Sequence, residues 1–160
     1  MSDELTFVDT NVLLYAYDRS AGNKYETARS LLATLWQARA GVLSTQVLQE
    51  FYVNVTRKIP TPVTRRNARD LLQAYAAWPV VVIDGLDIQA ATEIEDRYRL
   101  AFWDALIVRA AIKTNAEVLL SEDLHPGARI RDLRVENPFL HGGPARPQSD
   151  VDRRDPDAEG

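Results

Sequence analysis

Cysteine is absent from the 160 residues, and histidine occurs only as His125 and His141. The first absence excludes a disulfide frame, a thiolate zinc site and a cysteine nucleophile. The second excludes a metal site built from several imidazoles. Long apolar runs are also missing: none approaches the ~20 residues that span a bilayer. The opening residues, Met1-Ser2-Asp3-Glu4, are acidic and lack the basic region of a secretory signal. No GxGxxG follows the first apolar run, and no GxxxxGK[ST] occurs. Dehydrogenase and P-loop readings therefore lack their parts. No serine sits in a glycine-flanked elbow, so a Ser-His-Asp hydrolase is unsupported as well. The expectation is a soluble, cytoplasmic protein.

Hydrophobic residues make up 46% of the chain and charged residues 26%, a globular composition suited to one domain. The last stretch, HGGPARPQSDVDRRDPDAEG (141–160), has Val151 as its only large aliphatic side chain. It is too polar to offset its ordering entropy, so the folded domain is expected over 1–140 and a disordered tail over 141–160. Within the body, short β-branched runs fall at 5–8, 42–44, 80–83 and 118–120, with a weaker one near 134–136. Helical spacing fills 25–39, 45–58, 67–78 and 102–114, and Pro60 and Pro62 separate the second of these from the third. This alternation predicts an α/β fold whose largely parallel central sheet of four to five strands is flanked by helices. Functional groups in such sheets collect beyond the carboxyl ends of the strands.

Four carboxylates fall at or near such ends. Asp9 follows the first strand, Asp123 follows the strand at 118–120, Asp104 opens the apolar helix, and Glu50 lies in the helix after the second strand. Each has an ordinary structural alternative. Asp9 suits a helix N-cap, Asp104 suits the dipole of a first turn, and Glu122-Asp123 suits a polar turn. Glu50, Asn54 and Arg57 suit a solvated helix stripe. Together the carboxylates suggest more. Acids gathered in one cleft repel one another unless a cation neutralises them. Oxygen donors without sulfur select a hard ion, Mg²⁺ or Mn²⁺, which orients a phosphodiester and activates water.

The stretches FVDTNVLLYA (7–16), LSTQVLQEFYVNVTRK (43–58), AFWDALIVRAA (101–111) and EVLLSEDLHPG (117–127) resemble PIN-domain ribonucleases, and among them the VapC toxins of toxin–antitoxin pairs. The resemblance runs from about Leu5 to Asn137. It implies metal-dependent endonuclease activity on RNA, leaving a 5′-phosphate and a 3′-hydroxyl. Matched by position, Asp9, Asp104 and Asp123 stand where the family holds its metal, and Glu50 completes the acidic set. Thr10 and Asn11 match the polar pair that orients the carboxylates, and Ser121 matches a hydroxyl that supports a ligand. Glu122, beside Asp123, stands as an assisting or substitute donor. The resemblance also implies a homodimer and a VapB-like antitoxin, with Trp36, Tyr52, Tyr75 and Trp78 as either a docking groove or core.

The net charge of −4 fits an RNA substrate only through its distribution. Two of the negative charges belong to 141–160 and four to the candidate carboxylates, which leaves the rest of the body at +2. Arg57, Lys58, Arg65, Arg66 and Arg69 form a basic stretch that either follows a phosphate backbone or solvates a helix connection. Two other functions remain open: a binding module that holds RNA or protein without cutting, and an aspartyl-phosphate receiver or phosphatase. The latter suits Asp9 or Asp84 but lacks a well-placed lysine.

Overall fold

The computed structural model describes residues 4–140, so the tail expected over 141–160 lies outside the described residues. Six strands form one sheet: β1 (Thr6–Val8), β2 (Gly41–Ser44), β3 (Val80–Val81), β4 (Val118–Leu120), β5 (Arg129–Ile130) and β6 (Leu133–Glu136). Their spatial order is β3-β2-β1-β4-β6-β5, and every pairing is parallel except β5 with β6. The helices are α1 (Thr10–Tyr15), α2 (Asn23–Ala38), α3 (Thr45–Arg57), α4 (Arg65–Tyr75), α5 (Gly85–Tyr98) and α6 (Phe102–Lys113). A short 3₁₀ turn, Arg19–Ala21, lies between α1 and α2. No helix among the described residues is long and apolar enough to cross a membrane.

The α/β architecture follows the hydrophobic pattern. β1, β2 and β4 are buried at every position, as central parallel strands covered on both faces must be. The sheet has one strand more than the four to five expected. The addition is β5, two residues whose alternating exposed-then-buried pattern marks an edge. It pairs back on β6 through a turn in which Arg131 takes a left-handed backbone, φ 56°. A run this short carries too little periodicity to be read from sequence.

α5 also escapes the hydrophobic pattern, because its polarity is inverted. Leu86 and Ile88 face solvent, whereas Asp87 is buried with Ala91 and Ile94. The signal for this helix is its start. Asp84 accepts from the Asp87 amide and Asp87 accepts from the Asp84 amide, each at 3.0 Å, forming a reciprocal capping box. Arg109 Nε at 3.0 Å and Lys113 Nζ at 2.7 Å from the Asp87 carboxylate tie α5 to α6. Burial alone would raise the Asp87 carboxyl, but the Asp84 amide, Lys113 and Arg109 hold it well below the usual carboxylate range.

Gly41 marks a close approach. A Cβ there would overlap the ring of Trp78, which packs at 5.3 Å from Tyr75 and 5.4 Å from Trp36. Those rings belong to an aromatic cluster that also includes Tyr17 and Phe51.

Candidate active site

Strand register places the first elements of the site. β1 and β4 pair with Val8 opposite Leu120, so the next residues, Asp9 and Ser121, emerge side by side from the carboxyl edge. The Asp9 amide donates to the Leu120 carbonyl at 3.0 Å, which extends the pairing by one step. Asp9 then turns the chain into α1 by accepting from the Thr10 amide at 2.7 Å. Its other oxygen accepts from Ser121 Oγ at 2.7 Å. The capping alternative for Asp9 is therefore real and leaves its second oxygen committed elsewhere in the site.

Hydroxyl and amide groups hold two of the remaining carboxylates. Thr10 Oγ1 donates to Glu50 Oε2 at 2.7 Å, joining α1 to α3. Asn11 Nδ2 donates to Asp123 Oδ2 at 3.0 Å, and the Glu122 amide donates to Asn11 Oδ1 at 3.4 Å. Ser121 Oγ also accepts from the Asp123 amide at 3.2 Å. Thr10, Asn11 and Ser121 thus each touch a different carboxylate.

Asp9, Glu50, Asp104 and Asp123 all line one cavity of about 380 Å³, together with Thr10, Asn11, Leu14, Gln46, Asn54, Trp103 and Ile107. Among the described residues, no lysine or arginine is in that lining. The electrostatic consequence is largest at Asp9, which is only 5% exposed. Burial, opposed by the bonds from Ser121 and Thr10 and reinforced by the charges of Asp123 and Glu50, pushes its carboxyl up to about 7. Asp104 is half-buried in the first turn of α6. Burial first, then the charges of Asp123 and Glu50, raise its carboxyl above the ordinary value.

Among the described residues, no three acidic or imidazole side chains stand close enough, as placed, to share one ion. The carboxylates ring the cavity instead of converging on a point. Their chemistry nevertheless fits a hard cation: the ionisable donors are all oxygen, and the carboxyl of Asp9 stays costly to ionise until positive charge arrives.

Other residues lie apart. Glu122 turns away, with its Oε1 at 2.6 Å from Lys24 Nζ, and it is not in the cavity lining. Arg57 and Lys58 are exposed at the end of α3, while Arg65, Arg66 and Arg69 are exposed on the first turns of α4, and none lines the cavity. Trp36, Tyr75 and Trp78 cluster outside that lining, and Trp36 and Tyr75 line a separate cavity of about 320 Å³ between α2 and α4; Tyr52 is absent from both linings. Asp84 is taken up in capping α5 and lies 3.7 Å from Lys113, away from Asp9.

Gln46 belongs to the site and was not singled out from sequence. It is buried four residues before Glu50, and its Nε2 donates to Glu50 Oε1 at 2.9 Å and to the Trp103 carbonyl at 3.3 Å. The i, i+4 spacing on α3 was the available signal. Asn54, the next residue on that stripe, lines the cavity and donates to the Glu50 carbonyl at 2.8 Å.

Residues 6–129 match the family model described as PIN domain, and the chain belongs to that family. No curated protein matches it. Among solved structures it is similar to VapBC2 from Rickettsia felis bound to a DNA fragment from their promoter, at 19% identity and TM-score 0.58, covering 83% of this chain and 98% of that one. A toxin–antitoxin complex from Klebsiella pneumoniae is similar at 18% identity and TM-score 0.57, covering 80% and 94%. VapC20 from Mycobacterium tuberculosis, a sarcin–ricin loop cleaving toxin, is similar at 18% identity and TM-score 0.56, covering 74% and 89%.

Proposed function

We propose that the chain is a metal-dependent endoribonuclease and the toxin component of a toxin–antitoxin pair. The observation that carries this reading is the cavity lined by Asp9, Glu50, Asp104 and Asp123, with no cationic side chain among the described residues that line it. Four acids from four separate segments, gathered without a counter-charge, are unfavourable for folding and useful for ion binding. Asp9, Asp104 and Asp123 would hold Mg²⁺ or Mn²⁺, with Glu50 completing the acidic set. Bound there, the ion supplies an acidified water and stabilisation of the leaving oxygen in phosphodiester hydrolysis.

The protein's own part is orientation. Ser121 fixes one oxygen of Asp9, Thr10 and Gln46 grip the two oxygens of Glu50, and Asn11 aims Asp123. These bonds fix the carboxylates at the positions from which they act. Asp9, its carboxyl pushed up to about 7, is partly protonated near neutral pH, and a cation held there would favour its ionised form and so release part of a proton.

Arg57 lies seven residues beyond Glu50 on α3, roughly 10 Å further along the helix axis. From there it and Lys58, Arg65, Arg66 and Arg69 would follow the RNA backbone leaving the cavity. A VapB-like antitoxin as partner, a homodimer as assembly and the cytoplasm as location complete the proposal. The likeness in fold to chains solved in toxin–antitoxin complexes supports it. The aspartyl-phosphate alternative loses ground because Asp84 is engaged as a helix cap with Lys113 beside it, and no lysine joins Asp9 in the cavity.

Incubating the purified chain with total RNA and Mn²⁺ tests the proposal. Cleavage by the wild type that disappears with EDTA and in Asp104→Asn supports a nuclease. RNA binding without cleavage in any divalent ion would assign the fold to a non-catalytic module.

A further inference from the structure

Trp103 stands immediately before Asp104 in the first turn of α6 and lines the carboxylate cavity. It is 64% exposed, against 43% for Trp36 and 8% for Trp78. A large apolar ring left in water forgoes burial worth a few kcal/mol, and the structure does not leave it loose. Its carbonyl is held by Gln46 Nε2, the same group that grips Glu50, and its ring rests edge-on against Phe102 at 5.2 Å. The backbone is anchored while the ring remains available to a ligand.

The charged side chains of the described residues that line the cavity are all acids. Among the described residues, no lysine or arginine lines it, so none of them supplies a cation there for a phosphate. Thr10 Oγ1, Asn11 Nδ2 and Gln46 Nε2 already donate to carboxylates, which leaves the buried Gln46 Oε1 without a partner among the described residues. Trp103 adds an exposed aromatic face, and every nucleobase presents a π-face to such a platform.

We infer that Trp103 is a stacking platform for the nucleobase next to the scissile phosphate, so that the chain grips its RNA at this point by base stacking. The inference rests on the nuclease reading and adds the residue that holds a base beside the acids. An unpaired base can lie flat on the indole, whereas a base stacked within a duplex has no free face. Recognition at this point is tolerant of base identity and intolerant of base removal.

The test compares binding of two fluorescently labelled strands to the full chain in calcium buffer, followed by anisotropy. One strand is a short oligouridylate, and the other has the same sugar–phosphate backbone without bases. Trp103→Ala is expected to weaken oligouridylate binding about tenfold and to leave the abasic strand unchanged, with Trp103→Phe recovering most of the loss. Thermal melting of both variants is expected to match the wild type, because the ring is outside the core. Equal loss on both strands, or loss on neither, overturns the platform. So does a Trp103→Ala chain that binds both strands normally but releases a protein partner, because the ring then belongs to a protein interface. If the wild type cleaves RNA in Mn²⁺ and Trp103→Ala binds both strands normally, only the platform fails. If the wild type never cleaves yet loses base-dependent binding on substitution, only the nuclease reading fails.

Discussion

Asp9 and Asp87 are both buried, at 5% and 1% exposure, yet they sit in opposite electrostatic surroundings. Asp87 meets Arg109 and Lys113 and closes a capping box, so it remains ionised far into acid. Asp9 meets Ser121, the Thr10 amide and the fields of Asp123 and Glu50, so its carboxyl is pushed up to about 7. The first is an internal joint between two helices, complete within the chain. The second is short of positive charge. A buried acid surrounded by other acids points to something outside the polypeptide, and a buried acid surrounded by bases does not.

The largest expected contrast is in activity. Asp104→Asn should reduce RNA cleavage in Mn²⁺ by more than about a hundredfold, since groups that merely support a metal ligand already cost about 10- to 100-fold when changed. Asp84→Asn, on the other cluster, should cleave at close to the wild-type rate. Equal losses in the two variants would erase the distinction between joint and site.

Stability should invert that order. Asp87→Ala removes the partner of Arg109 and Lys113 and half of the α5 capping box, and it should cost about 3 kcal/mol in chemical denaturation. Asp104→Asn should lose little or no stability without metal, because it removes a carboxylate already raised by burial and by Asp123 and Glu50.

A pH series sharpens the comparison. A carboxyl raised from 3.8 to about 7 by folding favours the folded state while protonated and loses that advantage as pH climbs through this window. Asp87 is ionised throughout and adds no slope there. The metal-free chain should therefore melt at a higher temperature near about pH 5.5 than near about pH 8, and Mn²⁺ at the higher pH should restore the difference. A melting temperature that rises with pH across this range without metal would contradict the assignment at Asp9. The smallest effect is expected at the rim: Lys24→Gln breaks a partly exposed pair with Glu122 and should change stability by less than about 1 kcal/mol.

How legible these features were follows from the same physics. Strands β1, β2 and β4 announce themselves because central parallel strands need continuous apolar residues, and α2, α3 and α6 because their buried faces recur at helical spacing. α5 was illegible for the reason that Asp87 is interesting: its buried face carries an aspartate, its exposed face a leucine and an isoleucine, and the balancing cations come from α6. β5 was too short to show a period. The four carboxylates were visible as acids at strand ends and in first turns, but their common cavity depends on β1–β4 register, on α3 lying beside α1 and on α6 packing against β2 and β4. Gln46 was hidden because its partner Trp103 is 57 positions away in sequence, a distance that spacing on one helix cannot bridge. The basic stretch at 57–69 was plain in sequence, whereas its place outside the cavity lining was not.

Titrating Mn²⁺ into the full chain by calorimetry at neutral pH, in buffers of different ionisation enthalpy, tests the central claim most directly. The account predicts saturable binding with release of protons from the Asp9 carboxyl, lost in Asp9→Asn and in Asp104→Asn and retained in Asp87→Asn. No saturable binding by the wild type, or binding that survives in Asp9→Asn and Asp104→Asn, would contradict it.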